Sequence, residues 1–270
     1  MKRIRTYLLL GCLILTGSLF QSCDDNDNDA YIYSGSLAVG NMVVKDGEMP
    51  YLKLDDCKRT ILPSNGNAIP SIYRQDGKRV IINFTLLEEN YQGYSYYARI
   101  NDIDTVLVKN IIPITPQTAD SIGNDVVNIL SIWASNEYLT VQFESWGAPG
   151  SKHMVNLVQD YNILNNPDEE GYLKLEFRYN NLQEDISPID RKFWGIVSFR
   201  INEYTQLSEI SPSPIKGCKV KANTYQGEKT YTLTIKCDAE TSGQKLSDKK
   251  DIKSRLSITV SYTHLRAHET

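Results

Sequence analysis

Histidine is nearly absent from this chain: three occur in 270 residues, and two of them, His264 and His268, stand close to the end. The segment that holds those two, Ser261–Thr270, does not continue the strand pattern before it. It resembles a translated sequencing adaptor joined to an incomplete gene, so residues 261–270 are expected to be a non-native tail and carry no functional argument. His153 remains, beside Lys152 in a strand-like segment, and is read as a partly exposed strand residue. Ser–His–Asp and Cys–His catalysis needs an imidazole held against a nucleophile, and a single candidate offers few arrangements. Metal spacings such as CxxC or HExxH are missing too, as is a glycine loop leading into a helix that could cradle phosphate. The residues therefore name no catalytic group, no metal ligand and no cofactor. An excess of positive charge is also lacking: 29 Lys and Arg face 33 Asp and Glu, a net −4. That balance disfavours nucleic acid and anionic lipid headgroups as partners.

Long hydrophobic runs are scarce. The one that exists, Tyr7–Phe20, follows the basic start Met1-Lys2-Arg3-Ile4-Arg5 and is too short to span a bilayer comfortably. It leads into Phe20-Gln21-Ser22-Cys23, which resembles a bacterial lipobox, the motif in which the Cys is acylated and becomes the new amino terminus. Residues 1–22 are thus expected to be a lipoprotein signal peptide and Cys23 the lipidated residue. Two or more acyl chains hold a protein to a bilayer firmly, at about 0.8 kcal/mol per buried methylene. Loss of residues 1–22 removes Lys2, Arg3 and Arg5 and no acid, so 26 basic residues face 33 acidic ones in the remaining 248 residues, a net −7. The acidic run Asp24–Asp29 repels itself and stays extended, making residues 23–30 a spacer. Acids directly after a lipidated Cys also resemble a signal for the outer face of the outer membrane, so the expected location is the outer membrane, lipid-anchored and surface-exposed.

Cysteine is sparse as well. With Cys12 in the signal and Cys23 acylated, Cys57, Cys218 and Cys237 are left in an oxidising setting. Cys218–Tyr225 and Thr230–Cys237 alternate around Gln226-Gly227-Glu228-Lys229. A type II′ turn on Gly227-Glu228 would place Cys218 opposite Cys237, within disulfide range. This predicts a Cys218–Cys237 bridge and leaves Cys57 as a buried, free thiol.

What the chain does have is strand. Ser34–Val44, Pro50–Asp55, Arg79–Leu87, Tyr94–Ile100 and Asp104–Ile112 read as five short strands, the third apolar on both faces. Together they suit a five-stranded OB-like barrel over residues 31–115. Pro113, Pro116 and Gln117–Asp125 read as the joint between domains. Val126–Ser135, Tyr138–Trp146, Lys152–Val158, Tyr172–Tyr179, Phe193–Ile201 and the cysteine hairpin then suit an antiparallel β-sandwich over residues 120–260, with Asp251–Val260 as a final strand. The fold class is all-β.

Tyrosine is plentiful at 17 residues. Tyr91, Tyr94, Tyr96 and Tyr97 cluster between the third and fourth strands and are the candidate ligand contacts, since tyrosines on an OB barrel can stack on sugars or bases. Trp133, Trp146 and Trp194 read as sandwich-core anchors. Glu88-Glu89, Asp168-Glu169-Glu170 and Glu184-Asp185 are the carboxylate groups a glycosidase could draw on. Asn101-Asp102-Ile103-Asp104 lacks the glycine and closing Glu of a calcium loop.

The chain resembles the NigD-like lipoproteins. The likeness rests on Ser22-Cys23-Asp24-Asp25, on Gly35-Ser36-Leu37-Ala38-Val39-Gly40, on Ile132-Trp133 with Glu137–Phe143, and on Lys152–Val158, and it covers about residues 20–260. It implies an OB domain, a β-sandwich and an envelope lipoprotein, and supplies no catalytic residues. The expected role is a non-enzymatic, monomeric lipoprotein that reaches the membrane through its anchor and binds a glycan or protein ligand, at the open strand face of the barrel or in the groove between domains. Bacteriocin immunity, which the family name suggests, and a surface glycoside hydrolase are the alternatives.

Overall fold

Apolar side chains alternate with polar ones along nearly every segment of regular structure, and the chain folds accordingly into strands. The structure is a computed structural model that describes residues 35–55, 58–148, 152–182, 191–202 and 215–235. The signal segment, Cys23, the acidic spacer, Cys57, the Glu184-Asp185 pair, Cys237, the expected strand 251–260 and the 261–270 tail lie outside the described residues.

Five strands close a barrel: β1 Ser36–Val43, β2 Tyr51–Leu54, β3 Thr60–Pro63, β4 Arg79–Tyr91 and β5 Tyr94–Thr105, in the order β1-β2-β3-β5-β4. β3 and β5 run parallel and the other neighbours antiparallel. Ala38, Met42, Leu52, Ile61, Val80, Ile82, Phe84 and Ala98 fill the interior. β1 serves both β2 and β4, and Gly40 is paired with each of them. A Cβ there would lie 2.5 Å from the Lys53 carbonyl oxygen, so this crossing requires glycine. The expected fifth strand, Asp104–Ile112, is not one element. β5 ends at Thr105, while the short β3, absent from the sequence reading, completes the barrel.

The remaining strands form two packed sheets. One holds β14 Gly227–Thr234, β13 Gly217–Thr224, β11 Tyr172–Asn180, β10 Met154–Asp160 and β7 Ile112–Ile114, in that order. The other holds β6 Leu107–Asn110, β12 Arg191–Arg200, β9 Tyr138–Gly147 and β8 Asn128–Ala134. Leu139, Val141, Phe143, Val197 and Phe199 of one sheet meet Leu157, Leu173, Leu175, Phe177, Val220 and Ala222 of the other. Both sheets contain parallel pairs, β7 with β10, β13 with β11 and β6 with β12. Within the expected joint, Pro113 stands in β7 opposite Gln159, on a sheet edge where its missing N–H costs no ladder bond. A four-residue helix, α1 Ala119–Ile122, follows.

The barrel sits against the outer face of the β9–β12 sheet. Val39, Ile81 and Val106 pack there with Trp133, Trp194 and Ile196. This explains why β4 is apolar on both faces: Val80, Ile82 and Phe84 point into the barrel and Ile81 into the junction. It also corrects the tryptophans. Trp133 and Trp194 join the two domains, and Trp146 is 40% exposed.

The cysteine hairpin is corrected too. Thr224 pairs with Gly227, and Cys218 faces Leu233, four residues short of Cys237. The turn falls on Tyr225-Gln226, because the Thr224 hydroxyl accepts the Gln226 N–H (3.2 Å) and donates to the Gly227 carbonyl (2.6 Å). Gly227 then takes φ +95°, the left-handed residue that follows a type I turn in a bulged hairpin. Cys218 is a free, fully buried thiol, and burial pushes its pKa up to about 12.

Candidate functional site

β4 changes character halfway along. Arg79–Phe84 are buried and Thr85–Asn90 are exposed. β1 begins at Ser36, opposite Phe84, so past that point β4 has a neighbour on one side only among the described residues. Leu87 is an extra residue in the β4–β5 register, a bulge that increases the local twist. The ribbon closes at Gln92-Gly93, where φ values of +49° and +88° give a type I′ turn.

The four predicted tyrosines lie on this arm and at its root in the β3–β5 pair, and all are partly exposed. They meet partners in pairs and do not make one flat platform. Tyr91 stacks on Tyr97 with centroids 4.4 Å apart. Tyr94 sets its edge against Tyr51 at 5.2 Å. Tyr96 accepts a hydrogen bond from Arg59 Nη1 at 2.9 Å. Leu86 and Leu87, 44% and 53% exposed, lie beside them. Tyrosine and arginine are residue types enriched in protein contact surfaces, and the two leucines add exposed apolar area beside them.

The domain junction is filled by a polar cluster that sequence reading missed. Arg79 and Asp55 form a bidentate pair, with Arg79 Nη2 to Asp55 Oδ2 at 2.6 Å and side chains 2% and 5% exposed. Arg79 donates further to Ser198 Oγ (3.0 Å), Asn41 Oδ1 (3.2 Å) and Thr140 Oγ1 (2.9 Å), so all five of its N–H groups are used. Trp133 Nε1 donates to Asp55 Oδ2 at 2.6 Å, and the guanidinium lies over the Tyr138 ring at 4.3 Å. The groove expected between the domains is thus occupied by the protein's own side chains. No local signal marks these residues: Asp55 directly follows β2, the others are ordinary strand positions, and the partners are distant in the chain.

Among the described residues, the carboxylate groups singled out in the sequence do not come together as a glycosidase pair. Asp168 and Glu170 both hold Lys219, at 2.8 and 2.7 Å. The Lys219 hydrogen bond, helped by the Tyr172 N–H, takes the Asp168 carboxyl down to about 2. A general acid needs the opposite shift. Glu88 and Glu89 are exposed on the arm. Asp102 and Asp104 belong to β5, not to a loop, and among the described residues no group of three or more His, Cys, Asp or Glu could hold a metal ion. His153 is 6% exposed, not partly exposed as expected: its Nδ1 is 2.7 Å from the Tyr179 hydroxyl and its ring packs against Phe193.

Barrel and sandwich together define a two-domain all-β protein, and the comparisons agree with that architecture. The NigD-like N-terminal OB domain matches residues 39–106, and the NigD-like C-terminal beta sandwich domain matches residues 110–235. The chain belongs to the NigD-like family. It is similar to a crystal structure of a protein of unknown function from Bacteroides vulgatus ATCC 8482, with 32% identity and a TM-score of 0.60, covering 74% of this chain and 90% of that one. A NigD-like immunity protein from Bacteroides caccae ATCC 43185 shares 20% identity at a TM-score of 0.52, over 74% and 91% of the two chains. A Bacteroides fragilis NCTC 9343 chain named "Putative lipoprotein" shares 13% at 0.53, over 74% and 97%. The last two likenesses concern the fold alone. No curated protein matches the sequence. Among the described residues no helix is long and apolar enough to cross a membrane.

Proposed function

We propose that this chain is a non-enzymatic envelope lipoprotein, anchored through Cys23 in the outer membrane, whose β4–β5 arm binds a protein partner. The observation that carries this reading is the group of exposed Leu86 and Leu87 with partly exposed Tyr91 and Tyr97, on a two-stranded ribbon that has one free edge among the described residues. A free strand edge offers main-chain bonds to an extended partner segment, and the tyrosines offer side-chain contact area. The anchor follows from the Ser22-Cys23 junction and the acidic run behind it.

A photo-crosslinking side chain at position 87, in cells that produce the full chain, tests the arm. Discrete adducts that vanish in Tyr91→Ala and Tyr97→Ala support it; no adduct, or adducts indifferent to both substitutions, overturns it. Mass spectrometry of the mature amino terminus tests the anchor, and protease treatment of intact cells tests surface exposure. A turnover that disappears with one carboxylate pair would contradict the non-enzymatic part. Bacteriocin immunity is the second reading, favoured by the likeness in fold to the Bacteroides caccae NigD-like immunity protein. It requires that deletion of the gene change sensitivity to a co-resident toxin.

A further inference from the structure

The sandwich carries a cleft of about 280 Å³ that the reading above does not use. Small-molecule sites usually span about 300–1,000 Å³, so this one admits one or two rings and not a long chain. Asn124, Asp125, Asn181 and Asn223 line it, together with Trp146 and Tyr225. The two aromatic residues are 40% and 50% exposed, which leaves ring surface open at the cleft.

Its polar groups are anchored and only half used. The Asp125 N–H donates to the Tyr179 carbonyl at 2.8 Å, and the Val127 N–H to the Asn223 carbonyl at 3.1 Å, which fixes the loop against two strands. Asp125 Oδ2 accepts the Asn181 N–H at 2.8 Å, and no described residue takes its other oxygen. Asn223 Nδ2 donates to the Asn124 carbonyl at 2.7 Å, and its amide oxygen has no described partner. Such groups are placed before any ligand arrives, which lowers the entropy lost on binding.

The lining selects the ligand class. Among the described residues it contains no Lys, Arg or His, so an anion would meet Asp125 without a countercharge. Lys192 reaches the Trp146 ring at 5.6 Å but is paired with Glu144 at 3.0 Å. A single carboxylate does not hold a divalent cation. An apolar ligand would bury the amides unpaired. A neutral polyhydroxylated ring satisfies all of these conditions, since its hydroxyls both donate and accept and its C–H face suits an aromatic ring. We infer that this cleft binds a neutral saccharide of one or two rings, with Asp125 and Asn223 on its hydroxyls and Trp146 or Tyr225 against its apolar face.

The test follows tryptophan indole N–H signals of the full chain in detergent, titrated to tens of millimolar with glucose, galactose, mannose, N-acetylglucosamine, rhamnose and their disaccharides. The Trp146 signal shifts saturably with at least one sugar, while Trp133, bonded to Asp55, stays still. Asn223→Ala and Asp125→Asn each weaken that titration about tenfold or more, as loss of one well-made hydrogen bond predicts. Tyr225→Ala, at a half-exposed position, also weakens it and leaves the melting curve unchanged. A Trp146 signal unmoved by every sugar, or an undiminished titration in both Asn223→Ala and Tyr225→Ala, overturns the inference. Crosslinking through position 87 does not depend on these residues, so either proposal can fail without the other.

Discussion

The root and the tip of the β4–β5 hairpin share one ladder and meet opposite fates. At the root, Arg79–Phe84 are buried on both faces, between the barrel interior and the sandwich. At the tip, Thr85–Asn90 are in water and two leucines stay exposed. The tip is the poorer strand former, with Glu88, Glu89 and Asn90 where the root has Val80, Ile81 and Ile82, and among the described residues it also lacks the neighbours that cover each face of the root. The lesson is that the root carries stability and the tip is available for contact, so substitutions should separate the two cleanly.

The largest effect belongs to the root. Arg79→Ala strands Asp55 in a buried site and should cost about 3–5 kcal/mol in denaturant unfolding, whereas the double change Asp55→Leu with Arg79→Met should recover most of that loss. Trp133→Phe keeps the ring packing but removes the donor to Asp55, for about 1–3 kcal/mol by the same measurement. At the tip, Leu86→Ser and Tyr91→Ala should each stay within about 0.5 kcal/mol of the parent while abolishing crosslinks from position 87. A tip variant that destabilises as much as Trp133→Phe would break the comparison.

The smallest effect sharpens it, by setting the buried Arg79–Asp55 pair against the surface pair of Asp168 and Lys219. Asp168 is held near 2 in the folded chain against 3.8 ordinarily. Between those values the unfolded chain binds more protons, so stability rises with pH across this window and is lost as pH falls through it. Asp168→Asn should remove that slope from acid unfolding curves and leave the stability gap between Arg79→Ala and the parent unchanged.

The strands of the sandwich and the two-faced apolar run of β4 were legible, because alternation reports on faces that are covered or bare. The junction was not. Arg79 and Ser198 are 119 residues apart, and Thr140 and Asn41 look like any strand residue until the domains meet. Pro113 read as a breaker because sequence does not say which strand lies on an edge. The cysteine register slipped because one hydroxyl, that of Thr224, moved the turn. The tyrosines were legible as a group, but their pairing into three separate contacts was not. The saccharide cleft escaped notice altogether, its lining being drawn from four segments that only the sheet packing brings together.

Val106 is the lone residue between β5 and β6, and Ile111 the lone residue between β6 and β7. As it leaves the barrel, then, the polypeptide sews one short strand into each layer of its neighbour before going on. A barrel excised at residue 115 would carry off the β6 edge of one layer and the β7 edge of the other. A sandwich begun at residue 120 would be left with two raw seams, open to pairing with other chains. The two halves can be recognised one at a time in sequence, yet the strands that leave the first are stitched into the second.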